Sequence, residues 1–126
     1  MNDQQIEQQI QAKNANVAPR ITPADIEANI EYETYFTAGD GYAGAVSISP
    51  EFSEQGDFVI SPPEPLDLLT FCVLVLRNGF TVTGESACAS PENFNAEIGR
   101  QIARQNAVAK IWPLMGYELR TKLAGT

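Results

Sequence analysis

The stretch LLTFCVLVLRNGFTVTGESAC, Leu68 to Cys88, decides the fold. Two apolar, β-branched runs flank Asn78-Gly79, and Asn-Gly between such runs is the strongest short-range signal for a β-hairpin. Read as a two-residue turn, Asn78-Gly79 pairs Leu76 with Thr81, Leu74 with Thr83 and Cys72 with Glu85 on one face. The other face then sets Phe71, Val73 and Val75 opposite Ser86, Gly84 and Val82. The first strand is apolar on both sides, so it is expected in the centre of a sheet or covered twice. Cys72 and Cys88 fall on opposite faces in this register, and no disulfide between them is expected.

Working outward, SPENFNAEIGRQIARQNAVAKIW (90–112) predicts a long helix, with Ser90 as cap, Pro91 at its first position and Glu92 complementing the dipole. A spacing of 100° per residue places Phe94, Ile98, Ile102, Val108 and Trp112 on one face. A nearly opposite stripe is small: Ala96, Gly99, Ala103, Ala107. Two such stripes predict a helix packed on two sides, with the small one across a dimer axis, and Pro113 is expected to end it. Upstream, Thr22-Pro23-x-Asp25 is a helix start with a capping box, followed by Ile26, Ile30, Tyr32, Tyr35 and Phe36, which predicts a helix from 23 to about 36. Residues 1–19 read as a frayed helix or a disordered arm. Residues 37–65 carry five acids and no base and read as an acidic insertion, with short strands at AVSIS (45–49) and DFVIS (57–61). The expected class is α+β in one domain, 1–126. An antiparallel hairpin or small sheet packs against a long C-terminal helix and an N-terminal helix, and 66–126 forms the core.

Composition narrows the chemistry. Residues 1–65 hold eleven acids and two bases, whereas 66–126 hold five acids and six bases, within a net charge of −8. So acidic a chain is a poor binder of nucleic acid, which rewards neutralised phosphates. Histidine is absent, which removes Ser-His and Cys-His nucleophilic pairs and the commonest metal ligand. No metal, no cofactor and no catalysis are expected. Two cysteines, no basic-then-apolar leader and no run of about 20 apolar residues point to a reducing cytoplasm rather than export or a membrane.

Three motifs need weighing. GDGYAG (39–44) matches the dinucleotide fingerprint literally, but that motif needs a strand before it and a helix after it. With a helix expected before and a strand after, it is rejected. GESAC (84–88) resembles a nucleophile elbow without its last glycine, and Ser86 has no histidine base. Cys88 stands near a helix start, where a thiolate is favoured, although a small buried cysteine is the commoner outcome. Glu85 either faces solvent or, if covered, pairs with Arg100 or Arg104. Gln101 and Gln105 fall within the apolar helix face, so they either bond the sheet edge or line a pocket. Asn93, Arg100 and Arg104 flank them beside Phe94. Read as more than ordinary surface residues, Arg100, Arg104, Gln101, Gln105, Phe94, Asn93, Glu85 and Ser86 form a strip suited to an anionic, planar ligand.

The segments TFCVLVLRNGFTVTGESACASPENFNAEIGRQIARQNAVAKIWPLMGYELRTKL (70–123) and RITPADIEANI (20–30) resemble a family of small tailed-phage proteins. It is named for gene product forty-nine of a coliphage and gene sixty-six of a Shigella phage. The resemblance implies a virally encoded accessory protein acting in the host cytoplasm, and it defines no catalytic residues. The expectation drawn from it is a counter-defence binding module: a homo-oligomer sequestering a nucleotide-derived immune signal of the host without cleaving it. The competing expectation is an acidic, protein-binding inhibitor of a host enzyme or DNA-binding protein.

Overall fold

The computed structural model describes residues 2–48 and 62–125. Three antiparallel strands, β1 (Ile30–Thr37), β2 (Leu69–Leu76) and β3 (Thr81–Ala87), form a sheet in the order β1-β2-β3. β2 is central, as its two apolar faces require. Its side chains alternate: Thr70, Cys72, Leu74 and Leu76 are buried, while Phe71, Val73 and Val75 are half-buried on the opposite face. The buried face packs beneath a 28-residue helix, which is α4 (Ala96–Leu123). Before it come α1 (Asp3–Ala12), α2 (Pro23–Ala28) and α3 (Ala38–Ile48), with 3-10 turns at Glu64–Leu68 and Pro91–Asn93. The class is α+β, with the sheet set against a long C-terminal helix and an N-terminal one.

The hairpin register differs from the two-residue reading by one position. Leu76 N–H donates to the Phe80 carbonyl at 2.8 Å, so the loop has three residues, Arg77 to Gly79. Gly79 sits at φ +90°, the left-handed conformation that closes such a loop, and Asn78 Oδ1 accepts the Phe80 N–H at 2.9 Å. Cys72 therefore faces Gly84, Leu74 faces Val82 and Phe71 faces Glu85. Because side chains alternate with period two, one step moves Glu85 to the uncovered face, where it is exposed, and brings Val82 and Gly84 into the core.

That exchange matters for α4. A methyl group on Gly84 would lie 2.1 Å from the Ala103 carbonyl oxygen and 2.2 Å from the Ala107 nitrogen. The small stripe Gly99, Ala103, Ala107 is thus the face that meets the sheet, together with Ile111, and it is not left for a dimer axis. The larger stripe faces outward, with Ile98 55% and Ile102 42% exposed. Helix and sheet backbones approach closely because neither side carries bulk at the crossing. The core joins Ile26 of α2 to Cys72, Leu74, Leu76, Val82, Ala103, Ala107 and Ile111.

Four other expectations change. The helix opened by Thr22 does form its capping box, Thr22 Oγ1 accepting the Asp25 N–H at 3.1 Å and Asp25 Oδ2 accepting the Thr22 N–H at 2.9 Å. It ends at Ala28, however, and the rest of the predicted helix is β1. Tyr32, Thr34, Tyr35, Phe36 and Thr37 are strand formers, and β2 supplies the partners. Asn29 caps α2, and its carbonyl accepts the Arg77 N–H at 3.1 Å, tying the helix end to the hairpin. AVSIS is not a strand, since Ala45 to Ile48 end α3; DFVIS lies outside the described residues. The long helix starts later than Ser90: Asn95 Oδ1 caps it by accepting the Ile98 N–H at 3.0 Å. It also runs through Pro113 to Leu123, and the Ala109 position whose carbonyl loses its partner is exposed to solvent. At the N-terminus, α1 is a helix with Asn2 as cap, the ordered one of the two readings of the arm.

Candidate functional site

Arg104 is engaged by two carboxylates. Its Nη1 and Nη2 donate to Glu27 at 3.0 and 2.7 Å, and Nε donates to Glu33 Oε2 at 3.2 Å. This fork ties α4 to α2 and β1, and hydrogen bonding to Arg104 is the main cause that holds the Glu27 carboxyl below the usual range. Glu33 is lowered chiefly by the Tyr35 hydroxyl, which donates to its Oε2 at 2.5 Å, and then by Arg104. Burial raises Tyr35 and also the thiol of Cys72 beside it. Glu85 is not a partner of either helix arginine. Among the described residues its carboxylate takes only a long 3.4 Å contact from Thr83 Oγ1, and its carbonyl accepts Asn106 Nδ2 at 2.8 Å.

Arg100, one turn earlier, has no carboxylate within salt-bridge distance among the described residues. It lines a cavity of about 120 Å³ with Tyr35, Phe36, Thr37, Asp40, Thr70, Phe94 and Ala96. Thr70 is 97% buried, being 3% exposed, and its hydroxyl has no hydrogen-bond partner among the described residues. A second cavity of about 140 Å³ lies beside the first and is lined by Ser86, Asn93, Ile98 and Gly99 among others. Phe94 lines both.

The expected strip is thus divided. Phe94 and Arg100 share one cavity, and Phe94, Asn93 and Ser86 share its neighbour. Gln101 and Gln105 are exposed because the apolar stripe they sit in faces outward, and with Ile102, Val108, Trp112, Glu27 and Arg104 they line a wide groove of about 650 Å³ between α1 and α4. Glu85 stands alone on the far side of the sheet. Tyr35, Thr37 and Asp40 escaped the sequence reading for one reason. They reach the cavity only once 30–37 is a strand, and a helix over 23–36 would have hidden that edge. The period-two set Tyr32, Thr34, Phe36 was the available signal.

GDGYAG lies inside α3 and follows β1, so its context is the reverse of the one expected. It remains no dinucleotide loop, because Gly41 and Gly44 are helical and β1 belongs to an antiparallel sheet. Cys88 is a half-buried free thiol whose Sγ contacts the Ser90 carbonyl at 3.2 Å, and Cys72 is a buried free thiol. Among the described residues no group of three or more acidic, cysteine or histidine side chains is placed to hold a metal ion. None of the described helices is long and apolar enough to cross a membrane.

The phage protein family described as N4 Gp49/phage Sf6 gene 66 matches residues 21–123. The chain belongs to that family. The match takes in the sheet, α4 and both cavities, and it begins after α1. No curated protein and no solved structure matches the chain.

Proposed function

We propose that this phage accessory protein is a binding module that holds a nucleotide-derived immune signal of the host without converting it. The observation that carries the reading is Arg100, a guanidinium without a carboxylate partner among the described residues, beside Phe94 and Tyr35 at a cavity whose floor includes a buried hydroxyl. A guanidinium pairs with phosphate, an aromatic wall suits a base, and neither supplies acid-base or nucleophilic chemistry. The absence of histidine agrees with holding over conversion. Arg100 is preferred to Arg104 for the phosphate, since Nε, Nη1 and Nη2 of Arg104 already donate to Glu27 and Glu33.

The test is a thermal-shift panel of linear and cyclic nucleotides on the purified protein, followed by recovery of ligand after heat denaturation. A shift with intact ligand released supports the reading. Altered ligand means an enzyme, and no shift with any nucleotide overturns the proposal.

A second reading, a protein-binding inhibitor, is favoured by the sheet face opposite α4. Tyr32 is 61% and Phe80 56% exposed there and at the hairpin tip. Binding to a host protein that is lost in Tyr32→Ser, with the thermal-shift panel silent, would select it.

A further inference from the structure

The strand register sets three hydroxyl residues in one row across the sheet. Thr37 of β1 is the partner of Thr70, and Thr70 is the partner of Ser86 on β3. The row runs under the start of α4, where Gly99 lets the helix pass close: a methyl on Gly99 would stand 3.0 Å from Thr70 Oγ1. Thr37 is already used, its Oγ1 accepting the Asp40 N–H at 3.0 Å as the cap of α3. Thr70 is not. A buried hydroxyl without a partner costs about 1–3 kcal/mol, so the fold carries this group at a loss unless something else bonds it.

Phe94 separates the two ends of the row. The cavity on one side reaches Thr37, Thr70 and Arg100, and the cavity on the other reaches Ser86 and Asn93. Neither volume alone approaches the roughly 300 Å³ at which small-molecule sites begin. Phe94 stands outside both flanking helices, in extended backbone (φ −68°, ψ 129°) between the turn Pro91–Asn93 and the Asn95 cap. Its side chain is therefore free of the rotamer limits that a helix imposes.

We infer that Phe94 is a movable aromatic wall, and that a planar heterocycle enters beneath it to hydrogen-bond the Thr70 hydroxyl, leaving any phosphate at Arg100. This rests on the proposed function and adds which part of the ligand goes where. Moving the ring joins the two cavities and opens the middle of the row. Hydroxyls both donate and accept, so they suit the mixed edge of a heterocycle better than a phosphate, which only accepts when ionised. Asp40 on the wall suits the same occupant, because a carboxylate accepts an N–H or a hydroxyl, and among the described residues only its Oδ2 is taken, by the Thr37 N–H at 3.0 Å.

Titration calorimetry and ligand-observed NMR test this with adenosine, guanosine, their 5′-phosphates, their cyclic dinucleotides and inorganic phosphate. Thr70→Val is expected to raise the melting temperature of the free protein, because it removes an unpaired hydroxyl, and yet to weaken nucleoside and nucleotide alike by about tenfold. Arg100→Gln is expected to weaken only the phosphate-bearing ligands. Phe94→Ala should lose the upfield ring-current shifts of the bound base. A purely structural Thr70 would not move stability and affinity in opposite directions. Nucleotide binding that Thr70→Val leaves unchanged overturns the inference while the proposed function stands. So does inorganic phosphate binding as tightly as the nucleotides. Absence of binding by every nucleotide and nucleoside overturns both.

Discussion

Gly84 of β3 lies directly under the backbone of α4, so that a methyl at its Cα would stand 2.1 Å from the Ala103 carbonyl oxygen and 2.2 Å from the Ala107 nitrogen. Both obstacles are backbone, and no side-chain rotation relieves them. Helix and sheet would have to separate across the whole crossing. Gly84→Ala is therefore expected to destabilise by about 3 kcal/mol or more, beyond the usual cost of one extra methyl in a core. Chemical denaturation measures it. A loss under about 1 kcal/mol would mean that α4 does not cross so close to β3.

The Arg104 fork gives a pH-dependent prediction. Glu27 and Glu33 are held below the ordinary glutamate value of 4.5 in the folded protein. A depressed carboxylate contributes stability that is complete above its unfolded value and is lost as pH falls through the folded one. Stability should therefore decline below about pH 4.5, and Arg104→Ala should flatten that acid limb. At neutral pH the same variant should cost about 1–2 kcal/mol. That is less than the roughly 3–5 of a fully buried pair, because the Glu27 side chain is 56% exposed. Parallel denaturation curves at pH 3.5 and 7 for both proteins check the sign. An acid limb equally steep in the variant would show that this fork is not its source.

These two contacts mark where the sequence was readable. The hairpin, the central place of β2, the Thr22-Pro23 helix start and the small stripe on α4 all follow from local pattern. The errors came where tertiary pairing outweighed local preference. A run of Tyr, Thr and Phe after a well-capped turn of helix reads either way until β2 is there to pair with it. The turn type then set which face Glu85 and Gly84 share, and Asn-Gly alone does not separate a two-residue loop from a three-residue one. For the candidate site, Arg100, Phe94 and Asn93 were within reach because they lie near the start of α4, and Ser86 because it ends the hairpin. Thr70 was not, because an unpaired hydroxyl is a property of packing, which no composition reveals.

α1 makes its own prediction. Its residues are none of them buried, and it is held by polar clamps at defined points: Trp112 Nε1 donates to Asp3 Oδ2 at 3.0 Å, and Arg20 forms a two-pronged pair with Glu7. Beneath it is an apolar cavity of about 230 Å³ lined by Ile6, Ile10, Ile21, Pro23 and Trp112. The Arg20–Glu7 pair is partly buried, its side chains 21% and 14% exposed, so salt screens it weakly and substitution is the cleaner probe. Arg20→Gln is expected to speed amide exchange in residues 3–12 while leaving β2 protected. Equal protection of α1 in the variant would show that the clamp does not hold it.

Pro113 offers the last prediction. It sits ten residues before the end of α4, at an exposed position, and the helix continues past it. Proline there removes the hydrogen bond to residue 109 and crowds the turn before it, a cost of about 3 kcal/mol relative to alanine in a helix interior. Part of that is offset, because proline also restricts the unfolded chain by about 1 kcal/mol. Pro113→Ala should therefore stabilise the protein by about 2 kcal/mol and leave the cavities at the other end of α4 untouched. The measurement is the melting temperature beside nucleotide affinity. Stabilisation with unchanged affinity is the expected result. A variant that gains no stability would mean that α4 is already broken at Pro113 in solution, with Leu114 to Leu123 forming a separate segment.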